Sequence, residues 1–558
     1  MIVGLDMGGT NIDAVVLADG EILKMVKKPT NRKNLFQSIW AALEELLVEI
    51  DKDKITRINL STTVSTNTIV EKKADPVGMI IQRGPGLPYE FQGCTGEKIF
   101  ISGYIDHRGH VVKDLDLREI KRAKDLFKEK NIKACAVVTK FSIRNPSHEL
   151  RIGKLLAKEF SPVTLGHTLS GKLNFPRRVY TSYLNAAVCN TFQNFAGSLK
   201  KSLAKAGIEA PVFILKADGG TMKLATAEEK PVETILSGPA ASLLGLMGMC
   251  STEQDALLLD IGGTTTDIFF LADGVPVFEP LGIKISGYKT LVRAIYSVSI
   301  GLGGDSSIRV GNDTIQIGPQ REGPPYAFGG PAPTPTDGMI VLGLMEANEE
   351  TLVKARQGME KLGRHLGLSP EGMADKVLDT MGDIIKNKVV SLLQELNEKP
   401  VYTIQELLYG KKIEPQVINI IGGPAKALAP VLSKKFSLPC HYPADYQVAN
   451  AIGAALARIT TEITLLADTA QGILSVPELG IHEKVSKRFT LEQAREKALT
   501  LLKERAAFLG ANPLEVVGEI VEESSFNMVR GFSTSGKNIR IKAQVKPDLS
   551  YQWRGEHN

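Results

Sequence analysis

Leu5-Asp-Met-Gly-Gly-Thr-Asn-Ile-Asp-Ala-Val-Val-Leu-Ala-Asp-Gly20 recurs as Leu259-Asp-Ile-Gly-Gly-Thr-Thr-Thr-Asp-Ile-Phe-Phe-Leu-Ala-Asp-Gly274. Each copy reads as a strand, a tight Gly-Gly-Thr turn, a second strand of β-branched or aromatic residues, and a polar Ala-Asp-Gly turn, which together predict a β-hairpin. Glycine pairs let backbone N–H groups approach an anion without interference from a Cβ. Gly8, Gly9, Gly262 and Gly263 are therefore candidate phosphate cradles, with Thr10, Asn11, Thr264 and Thr265 as neighbouring donors. The aspartates that bracket the turns, Asp6 and Asp13 in one copy and Asp260 and Asp267 in the other, accept only when ionised. Beside a polyphosphate their use is to hold a hydrated Mg²⁺ or to orient a water. A single hairpin of this kind is an ordinary turn; two matched copies predict that one set of phosphates is gripped between them.

The chain around this repeat has 558 residues, of which 43% are hydrophobic, enough for at least two cores, since one core stops growing at about 250 to 300 residues. Lys plus Arg is 67 against 62 for Asp plus Glu, and the net +5 is spread along the chain, which argues against a nucleic-acid partner. Apolar runs are broken well short of the roughly 20 residues that cross a bilayer. Met1-Ile-Val-Gly-Leu-Asp6 reads directly as a buried strand, with no secretory leader expected ahead of it. A soluble, cytoplasmic protein is the expectation. Cys94, Cys135, Cys189, Cys250 and Cys440 include no C-x-x-C pair and read as buried free thiols rather than a disulfide framework or a metal site.

Between and beyond the repeats, strands alternate with helices: Leu35–Ile50 is amphipathic, Ile132–Thr139 strand-like, Pro146–Phe160 helical, and Val212–Leu215 a short apolar strand. Alternation of this kind predicts α/β layers. Val417-Ile-Asn-Ile-Ile421 delivers the chain into Gly422-Gly423-Pro424 before a helix from Ala425 to Leu432, a turn that can pass close under a ribose or a flat ring. Gly301-Leu-Gly-Gly-Asp-Ser306, which contains Gly303, Gly304 and Asp305, is a second such turn. Ser237-Gly-Pro-Ala240 opens the apolar helix 241–250 and offers free N–H groups around Gly238 to a phosphate.

Hairpin, crossover helix, second hairpin, Gly-Gly-Asp turn, Gly-Gly-Pro turn and closing helix, in that order, resemble the superfamily of ATPases that holds actin, hexokinase and the heat-shock chaperone ATPases. The resemblance implies a two-lobed α/β fold of duplicated ribonuclease H-like domains, with the hairpins as phosphate motifs and the Gly-Gly-Pro turn as adenosine motif. The connecting helices would be 178–204 and 448–458. Lobes over residues 1–190 and 191–475, the stretch 448–475 returning towards the first lobe, are expected, with a small α/β appendage over 476–558. In the appendage Leu491–Phe508 is helix-like, and Val516–Glu522 and Ile539–Val545 are strand-like.

Within that superfamily the chain is similar to the hydantoinase/oxoprolinase family, the subunit-A type of N-methylhydantoinase, 5-oxoprolinase and the related ketone carboxylases, from Met1 to about Gly472. The segments that carry the likeness are Thr62-Thr-Val-Ser-Thr-Asn67, Asp106-His-Arg-Gly109, Phe141-Ser-Ile-Arg-Asn-Pro-Ser-His-Glu149, Asp218-Gly-Gly220, Thr234-Ile-Leu-Ser-Gly-Pro-Ala240, the second hairpin, and Pro335-Thr-Asp337. The chain departs from the family in being shorter than its larger members and in having Asn11 where an aromatic usually follows Gly-Gly-Thr. The resemblance implies ATP and Mg²⁺ as cofactors, the ion held through water by Asp6, Asp260 and Asp267, and phosphorylation of an unreactive carbonyl oxygen, that of a cyclic amide or of a ketone enolate. It also implies a subunit-B type partner, and a homo-oligomer is expected.

Thr62, Thr63, Ser65, Thr66 and Asn67 follow an apparent strand, Arg57–Leu60; their hydroxyls either line the substrate cleft or cap a helix. Arg83, Arg108 and Arg144 are candidates for meeting a carboxylate or phosphate, or for ordinary ion pairs. His107, His110, His148, His167 and His441 show no ligand spacing for a transition metal. The stretch from Gly318 to Asp337, rich in Pro and Gly, reads as an ordered loop near the cleft or an interface. No G-x-x-x-x-G-K-[ST] loop is present to serve as a P-loop. Readings left open beside the cyclic amide hydrolase are a ketone carboxylase subunit, an ATP-driven activator or chaperone-like protein, and a sugar kinase.

Overall fold

The computed structural model describes all residues except 9–10, 32–33, 87–89, 92–93, 251–252, 280, 312–313, 399–411, 515, 546–548 and 550–558. In the first lobe β1 (Ile2–Met7) pairs antiparallel with β2 (Asn11–Ala18) and parallel with β3 (Arg57–Thr62). The strand Glu21–Pro29 extends this sheet on one side, and Val212–Leu215 with Thr221–Lys223 on the other. The chain thus returns to the first sheet well after residue 190, the border expected from the sequence. In the second lobe β4 (Ala256–Ile261) pairs antiparallel with β5 (Thr266–Ala272) and parallel with β6 (Val417–Ile421). Both central strands are apolar almost throughout because helices cover both sheet faces.

The duplication extends to register. Asp6 faces Asp13 across the first hairpin, and Asp260 faces Asp267 across the second. Both turns close alike: the Gly8 N–H donates to the Asn11 carbonyl, and the Gly262 N–H to the Thr265 carbonyl, each at 2.9 Å.

Five helices matter for the cleft: α1 (Val64–Val70), α2 (Phe175–Ala206), α3 (Ser237–Met249), α4 (Ala425–Phe436) and α5 (Ala449–Leu456). Helix α2 starts under an Asn174 cap with Pro176 in its first turn and stops at Gly207, which takes the left-handed conformation. Helices α3 and α5 are apolar on nearly every side and accordingly buried. They interlock backbone to backbone: a Cβ on Gly245 would overlap the Ala449 carbonyl oxygen, and one on Gly453 would overlap that of Ala241. Gly4 of β1 makes the same kind of approach to Ala451 and Ala455 of α5. The small residues that the sequence concentrates in α5 thus bring a helix of the second half onto the sheet of the first.

A four-stranded parallel sheet in the order Val163–Leu165, Ala134–Thr139, Val77–Gln82, Gly96–Phe100 packs against α2. Downstream, five antiparallel strands form the C-terminal sheet, in which Glu462–Asp468 pairs with Ser533–Val545, and Leu491–Phe508 covers it. The strands of the terminal hairpin, Gly518–Arg530 and Ser533–Val545, are longer than the sequence reading of them. This is the expected two-lobed α/β architecture of the actin-like ATPases with a small C-terminal α/β unit.

Candidate active site between the hairpins

The second hairpin presents Gly263, Thr264 and Thr265 as an exposed tip, and the N–H groups of Gly263 and Thr264 have no protein acceptor among the described residues. Gly8 and Asn11 flank the corresponding tip of the first hairpin; its Gly9 and Thr10 lie outside the described residues.

Beneath the tips, Asp6, Asp13, Asp260 and Asp267 converge. The Asn450 side-chain amide, in the first turn of α5, stands 3.5 Å from Oδ2 of Asp6 and 3.5 Å from Oδ2 of Asp260, the outer limit of a hydrogen bond. Ser242 Oγ on α3 donates to Asp260 Oδ2 at 2.6 Å. Lys27 Nζ lies 2.9 Å from Asp13 Oδ1 and also donates to the Gln447 carbonyl at 3.3 Å, so one side chain touches both the first hairpin and the turn that leads into α5.

Burial pushes Asp6 up to about 7, and the charges of Asp13 and Asp260 add to the effect. Asp267 is likewise raised to about 7 by burial, with Asp260 contributing. Asp260 and Asp13 are raised by burial too, and the Lys27 ammonium opposes the shift in both. Four carboxyl groups with, among the described residues, Lys27 as the cation that opposes their shifts are electrostatically under-compensated. Asp6 Oδ1, buried, has no hydrogen-bond partner among the described residues. An oxygen orphaned in this way, inside an anionic cluster, fits a hydrated divalent cation held through water. Among the described residues no three His, Cys, Asp or Glu side chains stand close enough to cage an ion by themselves.

Gly303 packs so tightly on the second hairpin that a Cβ would lie 2.6 Å from the Gly262 carbonyl oxygen. Next to it the Gly304 N–H donates to the Gly262 carbonyl at 3.0 Å and the Asp305 N–H to the Gly263 carbonyl at 2.6 Å. These N–H groups are spent on bracing the hairpin. The Asp305 carboxylate accepts from Arg321 at 2.9 Å. Gly422, at φ 93°, is pressed against the other side of the hairpin, where a Cβ would overlap the Ile261 carbonyl oxygen. Gly423, by contrast, faces open space, and with Lys27, Leu344, Lys426 and Tyr446 it lines a groove of about 480 Å³; Pro424 stands at the start of α4. Gly238 lies in the first turn of α3, 3.7 Å from Thr63 when a Cβ is placed on it.

The hydroxyl-rich segment after β3 is tied to the segment before α3. Thr62 N–H donates to Ser237 Oγ at 3.3 Å and Ser237 Oγ donates back to the Thr62 carbonyl at 2.9 Å. Ser65 Oγ accepts from Thr234 Oγ1 at 2.9 Å, and Thr66 Oγ1 accepts from the Leu236 N–H at 3.0 Å. Thr63 and Asn67 are joined by a 3.0 Å bond from Asn67 Nδ2 to Thr63 Oγ1, and the Thr63 hydroxyl donates to the Met7 carbonyl at 3.3 Å. Thr63 is the N-cap of α1, although its side chain makes no capping bond.

Arg83 stacks over the Phe100 ring at 4.7 Å, on the four-stranded sheet. Arg144 is held below its usual pKa by burial and by Arg540, with Asp468 opposing, and Arg108 reaches the same Asp468 at 3.2 Å. Arg144 and Arg108 thus face the C-terminal sheet, and among the described residues no contact brings them to the hairpins. Glu149, fully buried, accepts from the Thr139 N–H at 2.7 Å, the His167 N–H at 2.8 Å and the His167 ring at 2.6 Å. Asp337 accepts from the N–H groups of Tyr326, Ala327 and Thr334 and so fixes the loop 318–337. Asn450, Ser242 and Lys27 escape sequence reasoning. The signal for the first is a single amide side chain amid the alanines of α5.

Two family models match the chain: the hydantoinase/oxoprolinase N-terminal region over residues 2–160 and hydantoinase/oxoprolinase over residues 178–463. The chain is 25% identical over 410 residues to the acetophenone carboxylase gamma subunit of Aromatoleum aromaticum, covering 64% of this chain and 55% of that one. It is 24% identical over 458 residues to caprolactamase subunit alpha of Pseudomonas jessenii, covering 75% and 64%. The chain therefore spans less than two thirds of the length of these relatives. The crystal structure of the ATP-dependent caprolactamase from Pseudomonas jessenii superposes with a TM-score of 0.71 at 20% identity, over 98% of this chain and 87% of that one. No helix among the described residues is long and apolar enough to cross a membrane.

Proposed function

From the premise that the chain belongs to the hydantoinase/oxoprolinase family, we propose that it is an ATP-dependent enzyme component that phosphorylates the carbonyl oxygen of a small cyclic amide and so drives ring opening. The observation that carries this reading is the register-matched pair of aspartate hairpins joined by the Asn450 amide. Two lobes bearing the same phosphate device, facing each other, suit one polyphosphate clamped from both sides.

Phosphoryl transfer asks a protein for positioning and charge neutralisation more than for covalent help. The unsatisfied N–H groups of Gly263 and Thr264, with the hydroxyls of Thr264 and Thr265, would hold phosphate oxygens. Asp6 and Asp260 would hold Mg²⁺ through water, with Asp267 behind them; when bound, the ion would neutralise charge on the phosphates. Lys27 would keep Asp13 ionised and the first hairpin in place. The groove beside Gly423 would take the nucleoside, and α3, whose first turn contains Gly238, would aim its N-terminal dipole at the transferred group. Thr63 and Asn67 would face the acceptor carbonyl. Lobe closure over the cleft would exclude water, which otherwise competes for the phosphoryl group.

A lactam substrate is supported by the relative named a caprolactamase. A second reading, phosphorylation of a ketone enolate and bicarbonate in a carboxylase, is supported by the relative named an acetophenone carboxylase subunit. Both relatives are named as subunits, and a separate protein partner completing the reaction belongs to either reading, with the work in the cytoplasm. Measuring ADP release by the purified chain against lactams, hydantoins and ketones, with and without bicarbonate, separates them. Stimulation by a lactam without bicarbonate supports the first reading, and a strict bicarbonate requirement supports the second. No ATP turnover with any of them, alone or beside a candidate partner, rejects both.

A further inference from the structure

A cavity of about 90 Å³ lies where four stretches of the chain meet: 168–181, 216–233, 291–293 and 460–509. None of the hairpin residues lines it. Its apolar wall residues are Leu169, Met222, Val232, Leu291, Val292 and Leu509, and the others are charged or hydroxylated.

Hydrogen-bonding capacity is unequal around this cavity. Among the acids, Asp218 receives the Gly220 N–H at 3.0 Å, the Thr460 hydroxyl at 3.2 Å to either oxygen, and Lys216 at 3.3 Å. Glu478 receives the Gly171 N–H on one oxygen and the Thr464 N–H on the other. Glu462 is paired with Lys542 at 2.7 Å. The ammonium groups are less well served. Lys216, only 7% exposed, makes one hydrogen bond, the long one to Asp218, and Glu233 stands 4.0 Å away, too far to accept. Lys230 makes one hydrogen bond, to the Thr168 carbonyl at 2.6 Å. Each ammonium has three donors, so Lys216 and Lys230 both keep spare N–H capacity; on the acid side Glu462 Oε2 has no hydrogen-bond partner among the described residues beside its ion pair with Lys542. A buried donor without an acceptor is costly, and an ionised one more so.

We propose that this cavity binds a small carboxylate anion, with its oxygens between Lys216 and Lys230 and its carbon substituent on the apolar wall. The charge balance permits it. Arg293 and Arg505 bring the lining cations to four, against Asp218, Glu233, Glu462 and Glu478. Burial, with Glu462 adding, raises Glu478 towards its neutral form. Burial also lowers Lys230, a shift that an anion beside it would reverse. The inference does not depend on the nucleotide reading of the cleft. It gives the Asp218-Gly-Gly220 turn the task of anchoring Lys216 at the mouth of a second site. The shared chemistry is a planar –CO₂⁻ group, which either an organic acid or bicarbonate supplies.

The test is calorimetric titration of the nucleotide-free chain with acetate, propionate and bicarbonate at an ionic strength held constant with chloride, repeated on Lys216→Met and Lys230→Met. Saturable uptake of at least one of the three is expected, weakened roughly tenfold or more in each variant. Preference for propionate over bicarbonate marks an organic acid as the ligand, and the reverse order marks bicarbonate. Should the variants fail to fold, crystals of the unaltered chain soaked in bromoacetate answer the same question, and anomalous bromine density is expected in the cavity. Absence of saturable uptake of all three anions, uptake unchanged in both variants, or bromine found elsewhere only would each overturn the proposal.

Discussion

Asp6 and Asp260, equivalent positions of the two hairpins, lie on either side of a single amide, that of Asn450, 3.5 Å from each. One donor stands between two acidic groups that belong to different lobes, and the helix that carries it packs on the first-lobe strand through Gly4. Replacing Asn450 by Ala is expected to leave the fold intact and to lower ATP turnover by roughly tenfold or more, the worth of a hydrogen bond to a charged group. Asn450→Asp, which adds a further carboxylate to the cluster, is expected to be worse. Circular dichroism together with steady-state ADP release distinguishes this from unfolding, and full activity in Asn450→Ala would remove Asn450 from the site.

The carboxyl cluster sets a pH dependence. In the folded chain Asp6 and Asp267 are raised from 3.8 to about 7, so between those values they hold protons that the unfolded chain has released. Their contribution to stability is fully present below 3.8 and is lost as the pH rises through about 7. The melting temperature of the nucleotide-free chain is therefore expected to fall across that window, and less so in Asp267→Asn. Magnesium-nucleotide, which favours the ionised form, is expected to bind with proton release near neutral pH. Calorimetry in buffers of different ionisation enthalpy reads the proton count directly.

Lys27 joins Asp13 to the turn before α5. Lys27→Ala is expected to raise the KM for ATP several-fold, since Asp13 then loses the ammonium that pairs with it. Lys27→Arg, which keeps the charge, is expected to recover part of it. An unchanged KM in Lys27→Ala would show that the pair is an ordinary ion pair of the kind worth little at a surface.

Glu149, from the stretch 141–149 that helps to place the chain in its family, is a buried clamp rather than a cleft residue. Removing it by Glu149→Ala strands the N–H groups of Thr139 and His167 and leaves Arg178 without its nearby carboxylate. A loss of about 3 to 5 kcal/mol is expected, on the scale of breaking a buried ion pair from one side. Urea unfolding measures it, and nucleotide affinity of the folded fraction is expected to be unchanged.

What the sequence makes legible follows from how locally each feature is determined. The hairpins are local, and their repetition shows in the residues themselves, down to the Asp-on-Asp register. Helices such as Leu491–Phe508, with a capping box at Thr490 and Gln493, are local too. Ser65 and Thr66 spend their hydroxyls on Thr234 and Leu236, and Gly303 and Gly304 serve the hairpin they lie beneath. None of that is visible in spacing, because it depends on segments more than a hundred residues apart meeting in space, or on one turn stacking on another. Ser242 and Asn450 escape the spacing too, because each sits on a helix while its partner sits on a strand, Asp260 for Ser242 and both Asp6 and Asp260 for Asn450.

The crossing of α3 and α5 has a mechanical corollary. With Gly245 and Gly453 seated against opposing carbonyls, neither helix can slide lengthwise past the other without collision. If the lobes move against each other, such a crossing would be their axle. Adding even one methyl group at Gly453 would wedge it, and the resulting defect would be expected in the timing of opening and closing as well as in the melting curve.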